Sequence, residues 1–176
     1  VLERLYATAG GLPENDKIEA FCNIGVLSGN CGEHELSLKA FEAAESIEGC
    51  GRDNSLNVAV ALGQLGRVDE AVTKAKFCDK KMSRSHTILA NLLQDQGNFD
   101  DSLEEYRIAV RQDKGFLLPI QNGTEVGLKL MRFDVVEELQ DYLQYVKGQD
   151  IECALVKAYF HEARGHPWDA IETLLP

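Results

Sequence analysis

Residues Ser83 to Lys114 read SRSHTILANLLQDQGNFDDSLEEYRIAVRQDK. Two apolar stripes at helical spacing run through this stretch, Ile88, Leu89, Leu92 and Leu93, then Leu103, Tyr106, Ile108, Ala109 and Val110. Between them stands Gln96-Gly97-Asn98. Gly97 can take the left-handed conformation that ends the first helix, and Asn98 or Asp100 can cap the amide groups that open the second. The stretch therefore predicts a helix hairpin.

Its neighbours are imperfect copies. The position of the turn glycine falls on Gly32, Gly66, Gly97, Met131 and Gly165, at separations of 34, 31, 34 and 34 residues. Five residues later a small-residue position gives Ser37, Ala71, Ser102, Val136 and Ala170; a bulky position after it gives Phe41, Ala75, Tyr106, Gln140 and Leu174. A further small position gives Ala44, Cys78, Ala109 and Leu143. Four registers moving at one period mark a repeat architecture, whereas a lone alanine-rich helix would match one. Helix pairs are expected at about 17–30 with 34–48, 52–65 with 68–80, 83–96 with 99–112, 117–130 with 133–147, and 150–164 with 167–176. Pro119 and Pro167 fall in first turns, where a missing amide costs nothing. The second copy is three residues short, a deletion placed around Lys80 to Ser83. The fourth is the most divergent, with Gly123 and Gly127 inside its first helix at a cost of about 1 kcal/mol each, which calls for a packing reason or a kink.

The pattern Leu89-Ala90, Leu93, Gly97, Phe99, Ser102, Tyr106, Ala109 resembles the tetratricopeptide repeat. The resemblance implies an all-α fold, an α-solenoid of antiparallel helix hairpins with about 11 helices. It covers five degenerate repeats, at about 18–51, 52–82, 83–116, 117–150 and 151–176, with residues 1–17 ending a preceding repeat. The expectation is a single repeat domain over 1–176, cut from a longer protein, since the chain starts without a methionine and stops inside a helical pattern.

Composition narrows the function. With 18 basic and 29 acidic residues, a net charge of −11 repels phosphate polymers and anionic lipid surfaces, so neither nucleic acid nor membrane is the expected partner. Five scattered cysteines without paired spacings fit a reducing compartment, and a cytoplasmic location is expected. No apolar run is long enough to cross a bilayer, and no signal peptide is read at the start.

Catalytic and metal-binding patterns are weak. In His161 to His166, HEARGH, the histidines are five apart, which rotates the second by about 140° from the first, and Gly165 marks a helix end, so a turn is the preferred reading. Cys22, Cys31 and His34 offer two thiolates and one imidazole, short of the four ligands of a structural zinc site. Cys78 reads as a small buried hydrophobe. Gly49-Cys50-Gly51 leads to no phosphate-binding Lys-Ser/Thr. Lys74, Lys76, Lys80, Lys81 and Arg84 read as a solvated helix end. Asn122-Gly123-Thr124 matches the glycosylation acceptor pattern inside an expected helix, which argues against its use. No cofactor, metal or catalytic constellation is expected.

In tetratricopeptide arrays the first helices line a concave face that holds a peptide or a helix. Carried onto this sequence, those positions include Arg84, Thr87, Asn91, Gln94, Gln121, Glu125 and Tyr159, an amide-rich strip suited to a peptide backbone. The lysines and asparagines with which chaperone adaptors of this family clamp a terminal carboxylate are largely replaced by Glu, Asp, Val or Leu, so that ligand is not expected. The expected function is a non-catalytic protein-interaction scaffold. The alternatives are a regulatory or substrate-positioning arm of a larger enzyme such as a transferase, and a self-assembly module joining through exposed solenoid ends.

Overall fold

A computed structural model of the protein describes residues 1–47, 50, 53–78, 82–148 and 150–175. Eleven α-helices and no strand occur among the described residues. Gly49, Gly51 and Asp79 to Lys81 lie outside them, and with these residues most of the expected deletion and two lysines of the basic cluster.

The chain divides into two compact units, Val1–Asp79 and Lys80–Pro176. The first holds α1 (Leu2–Ala9), α2 (Glu14–Asn30), α3 (His34–Glu45), α4 (Asp53–Gln64) and α5 (Val68–Lys76). The second holds α6 (Ser83–Asp95), α7 (Phe99–Gln112), α8 (Leu117–Lys129), α9 (Phe133–Asp141), α10 (Asp150–Ala163) and α11 (Pro167–Leu174). The five helix pairs are those expected from the period, with the ends adjusted by a few residues. Two differences have local causes. Helix α2 starts at Glu14, directly after the extended Pro13, and α9 stops at Asp141, where the chain tightens into a 3₁₀ turn over Tyr142–Tyr145.

Each hairpin turns by the same device. Gly32, Gly66, Gly97, Met131 and Gly165 have φ of +79°, +75°, +85°, +56° and +77°. The next residue's N–H, on Glu33, Arg67, Asn98, Arg132 and His166, donates back to the carbonyl five residues earlier at 2.8–3.0 Å. This is the Schellman closure, which satisfies carbonyls that the ending helix orphans. Only at Met131 does a side chain occupy the left-handed region among the described residues. Asn98 does not cap α7 as expected: its amide nitrogen donates to Asp101 Oδ2 at 2.7 Å, and no side chain caps the helix. Asp100 and Asp101 in the first turn meet the positive end of the helix dipole instead.

In the hairpins α2–α3 and α6–α7 the helices meet through small groups. Ser37 Oγ donates to the Gly25 carbonyl and Ser102 Oγ to the Ala90 carbonyl, each at 2.8 Å and each twelve residues back. The positions with the same twelve-residue offset elsewhere, Ala59 and Ala71, and Ala158 and Ala170, are all buried alanines. A Cβ on Gly25 would stand 2.6 Å from the Phe41 ring, so the glycine makes room for the bulky residue of the next helix. The fourth hairpin reverses the sizes. Val136 fills the usual small position, and Gly127 faces it, where an added Cβ would lie 2.6 Å from Val136 Cγ2. Gly123 likewise leaves space for Leu139 Cδ1 and Tyr106 Cβ, at 2.8 and 3.1 Å from a hypothetical Cβ. The two glycines that lower the helix propensity of α8 therefore have a packing reason.

The first unit centres on Phe21, Ile24, Ala40 and Ala44, with the Tyr6 ring of α1 5.2 Å from that of Phe21. Buried Asn54 ties α4 to α3 by donating to the Phe41 carbonyl at 2.6 Å, while its oxygen accepts from the Cys22 thiol at 3.5 Å. The second unit centres on Tyr106, Ile120, Val126, Val135 and Leu139. On its outer side Arg107 and Arg111 of α7 converge on Glu138 of α9 at 2.6 and 2.8 Å. Burial alone would push the Glu138 carboxyl up, but the two guanidiniums outweigh it and hold it below its ordinary value.

Met131→Gly relieves about 1–2 kcal/mol of left-handed strain against about 0.5–1 kcal/mol of added chain entropy. A net gain of about 0.5–1 kcal/mol in urea unfolding is expected, whereas Gly97→Ala should lose stability. A Met131→Gly protein no more stable than the parent would contradict the strain assignment. Gly127→Ala should destabilise by about 1–3 kcal/mol despite alanine's better propensity. Adding Val136→Ala should recover much of that loss, and strict additivity of the two changes would show that they do not share one space.

Candidate functional site

The first helices of the second unit, α6, α8 and α10, carry all seven positions that the resemblance assigns to a peptide-binding face. Asp53, the corresponding position at the start of α4, has no described side chain. The seven do not form one patch. Arg84 and Glu125 are exposed. Thr87 is a correction to the expectation: it is 2% exposed and its hydroxyl donates to the Ser83 carbonyl at 2.9 Å, so it packs beneath the face. Gln121 borders a cleft with Leu118, Lys147 and Glu152. Tyr159, 51% exposed, instead lines a separate groove between α10 and α11.

Asn91 and Gln94 are brought together, and the group that joins them is a core residue. Tyr106, fully buried on α7, extends its phenol between the two helices to Asn91 Oδ1 at 2.6 Å and Gln94 Oε1 at 2.9 Å. Asn91 Oδ1 also accepts from Asn122 Nδ2 of α8 at 3.0 Å. A phenol has one proton to give, so one amide accepts it and the other, turned about its last bond, donates to the phenol oxygen. With the Asn91 oxygen fixed by two donors, Gln94 is the amide that turns. The cluster links α6, α7 and α8, and it leaves the Asn91 nitrogen and the Asn122 oxygen outside these bonds.

Two of its members were not legible as site residues. Tyr106 reads from the sequence as a bulky core filler; its signal is that a tyrosine stands where the first repeat has Phe41, so the buried hydroxyl needs a partner. Asn122 sits in the apolar run LLPIQNGT, and its amide, held by Asn91 inside a helix, is poorly placed for glycosylation.

Burial pushes the Tyr106 phenol up to about 12, with the Asp95 and Glu125 carboxylates adding to the shift. Both lie beside the cluster and pair with no cation among the described residues. Lys129 is engaged, its ammonium 3.7 Å from the centre of the Phe99 ring. Four other arginines of the unit serve acids elsewhere: Arg107 and Arg111 meet Glu138, Arg132 meets Asp134, and Arg164 meets Glu137.

The remaining sequence candidates take structural places. HEARGH closes a Schellman turn, with the His166 N–H on the His161 carbonyl at 2.9 Å. Cys78 is buried, and Lys74 of the basic cluster pairs with Glu45 at 2.7 Å. Burial pushes the Cys22 thiol up, and the neighbouring Cys50 adds to it, so neither proximity nor field makes Cys22 a ready thiolate. Among the described residues no three His, Cys, Asp or Glu side chains converge as metal ligands, and no helix is long and apolar enough to cross a membrane.

Because the neutral phenol is favoured in the folded protein, Tyr106 contributes stability that is whole below about pH 10 and is lost as pH rises through about 12. Absorbance titration should show one of the five tyrosines ionising about two units late, together with unfolding. Tyr106→Phe should abolish the late step and cost about 1 kcal/mol at neutral pH. Five tyrosines titrating together near 10 would contradict the buried bond.

No protein-family model matches the chain, and no curated protein matches it. Solved structures do. A tetratricopeptide repeat protein from Parabacteroides merdae superposes with a TM-score of 0.72 at 14% identity, over 89% of this chain and 65% of that one. The crystal structure of MamA gives 0.69 at 12% identity, over 89% and 87%. YrrB, described as a tetratricopeptide repeat protein with an unusual peptide-binding site, gives 0.64 at 15% identity, over 89% and 83%. The chain is thus an α-solenoid with the tetratricopeptide-repeat fold.

Proposed function

We propose that the protein is a non-catalytic interaction scaffold that holds an extended peptide on the face made by α6, α8 and α10. The carrying observation is the amide cluster. Asn91, Gln94 and Asn122 are ordered by the Tyr106 phenol and by one another, so their free donors and acceptors are presented without a further loss of side-chain freedom on binding. Amides at fixed spacing pair with peptide N–H and C=O groups irrespective of sequence, and Arg84, Gln121 and Glu125 beside them supply selectivity. The peptide-binding site named for YrrB, a neighbour in fold, supports the same use of this architecture. The partner is a protein or peptide, with no cofactor.

Selection of a displayed random-peptide library on the purified protein is the test. Selected peptides should lose at least tenfold in affinity when Arg84, Gln121 and Glu125 are together changed to alanine, with helicity and unfolding midpoint preserved. Asn91 is left intact in that variant because it supports Tyr106. Peptides that bind the triple variant as tightly as the parent, or a library that yields no binder, would refute this use of the face.

A further inference from the structure

The hydrogen bonds around Tyr106 run inward, and their direction decides what the surface offers. The phenol gives its proton to Asn91 Oδ1 at 2.6 Å, and Asn122 Nδ2 gives a second proton to the same oxygen at 3.0 Å. Gln94, 2.9 Å from the phenol oxygen, gives that oxygen an amide proton. The two amides at the ends of this row, Asn122 and Gln94, have thus both turned an N–H inward, and each keeps its carbonyl oxygen outside the row.

Two carboxylates stand beside these oxygens. Asp95 follows Gln94 directly and lies one turn beyond Asn91, and Glu125 lies one turn beyond Asn122. Both oppose ionisation of the Tyr106 phenol, which sets them around one hydroxyl. Neither meets a cation among the described residues. The ordinary helical partner of Glu125 is Lys129, four residues on, but its ammonium lies over the Phe99 ring, 3.7 Å from the centre. Asp95 has no lysine or arginine within four residues on either side. Arg84, the arginine of α6, stands eleven residues earlier, about 16 Å away along the axis. Asp95 is also the last residue of α6, where the negative end of the helix dipole disfavours a carboxylate. An acid at that place works against its own helix, and conflicts of this kind fall where a ligand completes a site.

Two carboxylates and a neutral carbonyl oxygen call for a group that carries positive charge and several donors. An arginine guanidinium has five N–H groups in a planar fork, against three on a lysine ammonium, and the fork bonds carboxylates two at a time. We infer, building on the peptide face proposed above, that the partner peptide carries an arginine whose guanidinium binds Asp95, Glu125 and the Gln94 oxygen. The Asn91 nitrogen and the Asn122 oxygen remain for the peptide unit next to it.

The probes are peptides selected from the displayed library, resynthesised with each arginine changed in turn to citrulline, which keeps the shape and removes the charge, or to lysine. Their affinities are read by fluorescence anisotropy on the full chain. The selected peptides should share one arginine whose change to citrulline weakens binding about tenfold, the measure of a charge-assisted hydrogen bond, and whose change to lysine weakens it less. High salt should narrow the difference between the arginine and citrulline forms. Asp95→Asn with Glu125→Gln should bind those two forms equally and should unfold at a urea concentration no lower than the parent. A lower midpoint would show that the acids serve the fold, and would overturn the proposal. So would arginine forms that bind no better than their citrulline or lysine forms, or an arginine preference unmoved in the double variant. Selected peptides that share no arginine, yet lose affinity for the Arg84, Gln121, Glu125 triple variant, would sink this inference and leave the peptide face standing. A library without binders would sink both.

Discussion

The structure depends on how closely two helices can approach when they are joined by a three-residue turn. A left-handed residue lets the chain reverse while the Schellman bonds satisfy the carbonyls of the ending helix, and the reversal brings the next helix against the first within a few residues. At that distance a pair of ordinary side chains would collide, so one partner must be small. Serine, alanine and glycine meet this need in different hairpins, and the serines add a hydrogen bond to a backbone carbonyl of the facing helix. Everything large then packs around that contact.

The fourth hairpin shows that the constraint concerns the summed volume of a pair. Valine at position 136 is tolerated because glycine stands at 127, the reverse of the usual assignment. The same substitution of roles occurs at the turn, where Met131 accepts a conformation that glycine holds in the other four hairpins. One hairpin thus carries two departures from the pattern, and only the packing departure is compensated by a neighbour. The turn departure is left as backbone strain at an exposed residue.

Close packing also generates the polar site. Tyr106 is driven into the core by its ring, and its hydroxyl must find partners where it emerges between α6 and α8. The amides that answer it become ordered as a consequence. A residue whose place is set by the hydrophobic effect therefore orders the amides around it, and the acids beside it, Asp95 and Glu125, pair with no cation among the described residues.

The helix pairs, the turn stations and the small positions Ser37, Ala71, Ser102 and Ala170 could be read from the period, because turn conformation and helix contact depend on residues at fixed sequence offsets. Gly123 and Gly127 could be flagged as anomalous for the same reason, but the partners that explain them, Val136, Leu139 and Tyr106, lie 9 to 17 residues away and were unspecified by local propensity. The site was less legible. Spacing put Thr87 and Tyr159 on one face with Asn91, yet burial places Thr87 under it, and the α10–α11 groove takes Tyr159 elsewhere. Asn122 stood in a glycosylation acceptor pattern, which says nothing of its bond to Asn91. Local chemistry is written in the order of residues, whereas the bonds among Asn91, Tyr106 and Asn122 exist only once three helices lie side by side, and that juxtaposition belongs to tertiary packing.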